Sequence, residues 1–120
     1  MTPFGAKLRK LREERGLTQA QMAEDIGVSP AYLSALEHGK RGRPSWHLIQ
    51  SLIAHLGVIW DEAEELVRLA RVSHPKVTID TSGLSPAATE LANELAMKIS
   101  KLDEESLVRL LHQLKPKQPI

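Results

Sequence analysis

Five histidines (His38, His47, His55, His74 and His112) have the widest chemical reach in this chain, because imidazole serves both as metal ligand and as general base. Their spacing supports neither use. None stands in a His-x-x-x-His or His-Glu-x-x-His arrangement, and His47 and His55, eight positions apart on one helix, are too distant to share an ion. The chain has no cysteine, which excludes a thiolate metal site and a disulfide. Asp61, Glu62, Glu64 and Glu65 crowd one segment, but acids in the first turns of a helix are what its dipole favours. No Ser/His/Asp grouping, carboxylate pair or glycine-rich phosphate loop has a convincing setting. The chain is not read as an enzyme, and no metal, cofactor or small-molecule ligand is expected. What remains is binding chemistry. Its first candidates are Lys40, Arg41 and Arg43, a basic cluster on a loop shaped by Gly42 and Pro44.

The elements that position this loop lie just before it. Residues 16–39, GLTQAQMAEDIGVSPAYLSALEHG, hold two short amphipathic helices joined by a tight turn. At about 5.4 Å per turn, Met22, Ala23 and Ile26 share one face of the first helix, and Leu33 and Leu36 form the matching face of the second. A side chain larger than Ala23 would push the two helices apart, and Gly27 suits a turn that needs positive φ. Two helices locked at a steep angle, with the second standing proud, form the helix-turn-helix arrangement that enters a DNA major groove.

The segment resembles the Cro/cI-type, or XRE, helix-turn-helix family of bacterial and phage repressors. The resemblance runs over about residues 4–72. It is carried by Leu8, Leu11 and Arg12, then Gly16-Leu17-Thr18-Gln19, Ala23, Gly27, Leu36-Glu37 and Gly39-Lys40. In a helix-turn-helix protein the exposed start of the second motif helix reaches base edges. Here that is Ser29, Pro30, Ala31 and Tyr32, with Ala35 one turn on and Ser34 near the rim. The set lacks Arg, Lys, Asn and Gln, the residues that read guanine or adenine with paired hydrogen bonds. Pro30 and Ala31 offer apolar contact to thymine methyls, and Tyr32 can reach a base or a phosphate. Specificity must therefore lean elsewhere. The resemblance implies that the loop carrying Lys40, Arg41 and Arg43 runs along the DNA backbone and dips toward the minor groove, where arginine reads groove width. It also implies that Gln19 rests on a phosphate and that Arg12 pairs with Glu37 to fix the angle of the recognition helix. Arg12, Ala23, Gly27 and Glu37 are accordingly read as structural, while Lys7 and Arg9 are left between a phosphate contact and simple solvation.

The net charge of +1 says nothing by itself about nucleic acid, but its distribution is uneven. Residues 1–43 carry eight basic side chains against five acidic ones, residues 44–73 two against four, and the remainder six against six. A basic end suits a protein that meets phosphate with one surface only.

Helix boundaries are marked along the chain. Thr2-Pro3 opens a first helix carrying Phe4, Leu8 and Leu11. Thr18 with Gln21 forms a capping box for the second, and Ser29-Pro30 starts the third. Ser45 caps a fourth with Leu48, Ile49, Leu52, Ile53 and Leu56, ended by Gly57. A fifth runs from about Ile59 to Arg71. Residues 74–84 lack helical period, and the β-like Val77-Thr78-Ile79 is read as an extended linker. Ser85-Pro86 opens a sixth helix with a stripe at Leu84, Leu91, Leu95, Ile99 and Leu102. Asp103 caps a seventh with Leu107, Leu110, Leu111 and Leu114.

The expected architecture is all-α: a five-helix Cro/cI-like DNA-binding domain over residues 1–73, a linker over 74–84, and a C-terminal helical hairpin over 85–115. A small domain buries only about 60% of its unfolded surface, and a hairpin with leucine stripes on both helices cannot bury them alone. Leu91, Leu95, Ile99, Leu107 and Leu111 are therefore expected to form a dimerisation element, with the fifth helix as the alternative interface. No apolar run approaches the roughly 20 residues of a membrane span, and the N-terminus has no apolar signal segment. The function expected is a sequence-specific double-stranded-DNA-binding transcriptional regulator, a cytoplasmic, nucleoid-associated repressor of a bacterium or phage acting as a homodimer on a palindromic operator. The alternatives are an antitoxin that autoregulates its operon, against which the neutral, patterned C-terminal segment counts, and an adaptor that has kept the fold without DNA contact.

Overall fold

Every α-helix among the described residues starts after a short polar side chain, or an extended residue, at the place where the orphan N–H groups of a first turn need relief. In the computed structural model, which describes residues 1–40 and 44–115, this gives α1 (Pro3–Glu14), α2 (Gln19–Ile26), α3 (Pro30–Glu37), α4 (Trp46–Leu56), α5 (Trp60–Arg71), α6 (Pro86–Lys98) and α7 (Glu104–Leu114). Among the described residues there is no strand, so the fold is all-α. Thr2, Thr18, Ser29, Ser45, Ser85 and Asp103 each accept a backbone N–H with the side chain, and Thr18 and Gln21 complete a reciprocal capping box. Among the described α-helices, only α5 starts without a side-chain cap, from the extended Ile59. The expected stripe through Ile99 and Leu102 does not continue one helix. α6 stops at Lys98, residues Ile99–Lys101 tighten into a 3₁₀ turn, and Leu102 is extended. With Asp103 capping α7 directly behind, this turn leaves no room for another α-helical turn.

The chain divides into two units, Met1–Val77 and Thr78–Ile120, with the division inside the segment read as linker. In the first unit the apolar faces converge on one core. Phe4, Leu8 and Leu11 of α1 meet Met22 and Ala23 of α2, Leu33 and Leu36 of α3, Leu48, Ile49, Leu52 and Leu56 of α4, and Leu66 and Ala70 of α5. Ile26 packs against this cluster while remaining half-buried. Each large aliphatic side chain buried there contributes about 1.5–3 kcal/mol. α3 is packed between α1 and α2, α5 lies on α1, and α4 bridges α2 and α5.

Two local features lock α1 in place. The Ser73 hydroxyl accepts the Phe4 N–H at 2.9 Å and donates to the Leu69 carbonyl at 2.6 Å, tying the start of α1 to the end of α5. At Gly5 the backbones of α1 and α3 approach so closely that a Cβ would lie 2.4 Å from the Leu36 carbonyl oxygen and 2.7 Å from that of Glu37. In the second unit no described side chain is buried. Among the described residues no helix is long and apolar enough to cross a membrane.

Candidate nucleic-acid interface

The turn between α2 and α3 is built around Gly27, whose φ of 77° and ψ of 31° lie in the left-handed region. The Val28 N–H donates to the Ala23 carbonyl at 2.9 Å and that of Gly27 to Glu24 at 3.3 Å, so the chain reverses without stranding the last carbonyls of α2. Ala23 is fully buried at this junction. Ser29 then accepts the Tyr32 N–H at 3.1 Å, and Pro30, which has no N–H to lose, takes the first helical position.

The start of α3 faces outward. Ser29, Pro30 and Ala31 are exposed; Tyr32, Ser34 and Ala35 are half-buried, and Tyr32 packs against the core. The Ser34 hydroxyl lies 3.3 Å from Nδ1 of His38, which also meets the Ser34 carbonyl at 2.8 Å. Beside Ser29 and Tyr32 runs an open groove of about 550 Å³ that also takes in Ser45, His47 and Ser51. Ser45 before α4 and Ser51 within it thereby add hydroxyl groups to the same rim. From the sequence, Ser45 is expected only as a cap.

At its other end α3 is clamped. Glu37, fully buried, receives Arg12 Nε at 2.8 Å and Arg12 Nη2 at 3.0 Å, a bidentate pair linking α1 to the last residue of α3. The hydrogen bonds to Glu37 raise the pKa of Arg12 above its ordinary value; burial opposes the rise, and attraction to Glu37 and Glu13 adds to it. Arg12 Nη1 donates to the Leu17 carbonyl at 2.7 Å, so the same guanidinium holds the turn between α1 and α2. The Gln19 amide donates to Glu37 Oε1 at 3.2 Å. An amide nitrogen carries two hydrogens, so this inward bond leaves one N–H of Gln19 for an outside acceptor at the start of α2.

The basic side chains of the first unit are less available than the sequence count implies. Lys7 lies 3.8 Å from Glu65, and Arg9 pairs with Glu13 one turn away at 3.0 Å. Arg15 donates to the Leu56 carbonyl at 2.7 Å and to that of Leu11 at 3.1 Å, capping the end of α4. With Arg12 held by Glu37, three of the four basic side chains of α1 face an acidic partner. Lys10 and Lys40 are exposed, and the Lys40 backbone N–H closes the end of α3 on Ala35 at 2.9 Å. Arg41 and Arg43, named for the basic loop, lie outside the described residues. Among the described residues no cluster of three or more His, Asp or Glu side chains is placed to hold a metal ion.

Sequence reasoning passed over Gly5, Arg15 and Ser73. Gly5 alone left a signal, since a glycine inside a helical pattern marks a possible close approach.

The family described as "Helix-turn-helix domain" matches residues 3–66, more than half of the 120-residue chain. Two Bacillus subtilis (strain 168) proteins, the HTH-type transcriptional repressor RghR and the uncharacterised HTH-type transcriptional regulator RghRB, are each 46% identical over 61 residues, or 51% of this chain. The match spans 45% of RghR and 44% of RghRB, less than half of either protein. A crystal structure of SinR, the master regulator for biofilm formation, in complex with DNA is 28% identical, with a TM-score of 0.48 over 53% of this chain and 97% of that one.

Proposed function

This chain belongs to the helix-turn-helix domain family, and from that premise we propose that it is a sequence-specific, double-stranded-DNA-binding transcriptional regulator: a repressor acting as a homodimer on a palindromic operator. The observation that carries the reading is the contrast between the two ends of α3. Its last residue, Glu37, is fixed by Arg12 and Gln19, while Ser29, Pro30 and Ala31 at its start are presented to solvent. A helix held at one end and displayed at the other is what reading a major groove requires. The sign of regulation draws on RghR, a repressor by name and 46% identical over the matched region.

In this reading Ser29, Pro30, Ala31, Tyr32, Ser34 and Ala35 face the major groove. The second amide hydrogen of Gln19 meets a phosphate, and Lys40, Arg41 and Arg43 follow the backbone and the minor groove. Pro30 and Ala31 favour thymine methyls, and groove shape supplies much of the remaining discrimination. The homodimer rests on the second unit. Leu91 is 60% exposed, Ile99 50% and Leu111 49%, while Leu95 and Leu107 are half-buried. Leucine stripes this open call for a cover, and a second copy of the same hairpin provides one.

Selection of bound duplexes from a random library by the full chain, with sedimentation of the selected complex, tests both parts. The expected result is an inverted repeat with half-site centres about 34 Å apart and two chains per duplex. Failure to enrich any sequence at low salt overturns the DNA reading. A single half-site bound by one chain overturns the homodimer.

A further inference from the structure

The outward start of α3 is apolar where a groove-reading helix commonly carries amides or guanidinium groups. Ala31 and Ala35 lie one turn apart on the same face, about 5–6 Å between Cβ atoms. Pro30 stands beside Ala31 at the first helical position. Pro30 and Ala31 are exposed, and Ala35 is half-buried. The hydroxyl groups around them are already engaged locally. Ser29 Oγ accepts the Tyr32 N–H at 3.1 Å. Nδ1 of His38 lies 2.8 Å from the Ser34 carbonyl oxygen and 3.3 Å from the Ser34 hydroxyl. A carbonyl only accepts, so this Nδ1 carries the hydrogen.

In the major groove a pyrimidine shows two features, the group at C4 and the group at C5. Thymine has an oxygen at C4 and a methyl at C5, while cytosine has an amino group and a hydrogen. An amide or a charged side chain reads polar edges and so separates a T·A pair from a C·G pair. Residues 29–36 carry no such side chain. A serine hydroxyl both donates and accepts, so it tolerates either C4 group. What alanine methyls and a pyrrolidine ring can distinguish is the C5 methyl. Cytosine methylated at C5 sets that methyl at the same place in its base pair. To this surface, 5-methylcytosine and thymine are alike. Alanine ends one carbon beyond Cα, so apolar contact at about 4 Å brings the helix close to the base edges. A C5 methyl fills the space that a longer side chain would take.

We propose that α3 reads the C5 methyl of a pyrimidine whatever its C4 group, so that DNA containing 5-methylcytosine is a ligand of this chain equivalent to DNA containing thymine. The inference rests on the DNA reading above and extends it from base sequence to base modification. A cytosine-containing sequence that is bound weakly when unmodified is bound as tightly as its thymine counterpart once methylated at C5.

The probes are duplexes built on the sequence that the full chain selects. Each thymine in turn is kept, replaced by uracil, or replaced by cytosine or 5-methylcytosine with guanine opposite. At one or more positions, uracil and cytosine should each weaken binding about fourfold, the effect of one buried methyl, and 5-methylcytosine should return it to within about twofold of thymine. Ala31→Gly or Ala35→Gly should bring the thymine-to-uracil ratio close to one at the position that the lost methyl touches. The ratio is taken within a single variant, so any loss of helix stability from glycine cancels. Uracil bound as tightly as thymine at every position overturns the inference and leaves DNA binding standing. So does 5-methylcytosine bound no better than cytosine, a ratio that neither glycine variant alters, or a selected sequence without thymine. Failure to select any duplex removes the DNA reading and this inference with it.

Discussion

The Arg12 guanidinium and the Glu37 carboxylate meet through two parallel hydrogen bonds of 2.8 and 3.0 Å, and this pair connects the last turn of α1 to the last residue of α3. Its role is geometric more than stabilising, because a buried ion pair regains little beyond the cost of removing two charges from water. Removing one partner is another matter. Arg12→Ala should destabilise the first unit by about 3–5 kcal/mol, since Glu37 is then left buried without its cation. Arg12→Ala combined with Glu37→Leu should restore much of that loss. Urea denaturation of the single and double variants checks this; equal losses would show that the pair is not the cause.

Ala31 is exposed at the start of α3. Ala31→Glu should abolish specific DNA binding while leaving helicity and the unfolding midpoint unchanged, because a carboxylate there opposes the groove without touching the core. Circular dichroism and a mobility shift on the selected duplex check the pair of results. An unfolded variant would place Ala31 in the core.

Lys40→Ala and Arg43→Ala should weaken binding to every duplex alike. Each lost phosphate contact lowers the slope of log affinity against log salt by about 0.9. Fluorescence anisotropy across a salt series measures it, and unchanged slopes would mean that the loop is merely solvated.

Gly5→Ala should cost about 1–3 kcal/mol, although alanine is the better helix former. The new methyl would lie 2.4 Å from the Leu36 carbonyl oxygen, a backbone atom that cannot swing aside. Affinity for DNA should fall with stability, because the atoms displaced belong to the end of α3, the helix proposed to read the groove. A variant more stable than the parent would contradict the close approach.

Asp103 caps α7 by accepting hydrogen bonds from Ser106, including the backbone N–H at 2.8 Å, and these hold its carboxyl below the usual carboxylate range. A depressed folded-state pKa contributes stability that is complete above the unfolded value and is lost as pH falls through the folded one. The helicity of α7 should therefore be constant at neutral pH and decline only below about pH 3.9. Asp103→Asn should keep the cap and remove this residue's share of the acid transition. Amide chemical shifts of α7 across an acid titration would reveal it, and an unaltered transition in the variant would contradict it.

Most of the helical frame was legible because its signals are local. Thr18 with Gln21, Ser29 with Pro30, Ser45, Ser85 with Pro86, and Asp103 each act within one turn of their own position, so neighbouring residues suffice to identify them. The stripe from Leu91 to Leu102 misled at its end because apolar period does not register a 3₁₀ turn at Ile99. Gly5, Ser73 and Arg15 were not legible as they act. Each depends on where another helix passes, and the partners of Ser73 and Arg15 lie as far as 69 and 41 residues away in sequence. Counting charges also overstated the cations available to a ligand, because a count cannot distinguish Lys10, which is exposed, from Arg12, which is held by Glu37.

The clamp at Glu37 gives α3 the mechanics of a lever pinned at its far end. Eight residues at about 1.5 Å each make an arm of roughly 12 Å, with Glu37 as the pivot and Pro30 at the tip. A roll of about 10° at the pivot moves the tip by roughly 2 Å, several times the distance tolerance of about 0.5 Å that a hydrogen bond allows. Play too small to detect as unfolding would thus be enough to miss a base edge. In the proposed reading, the accuracy with which α3 addresses DNA is decided at three hydrogen bonds at its opposite end.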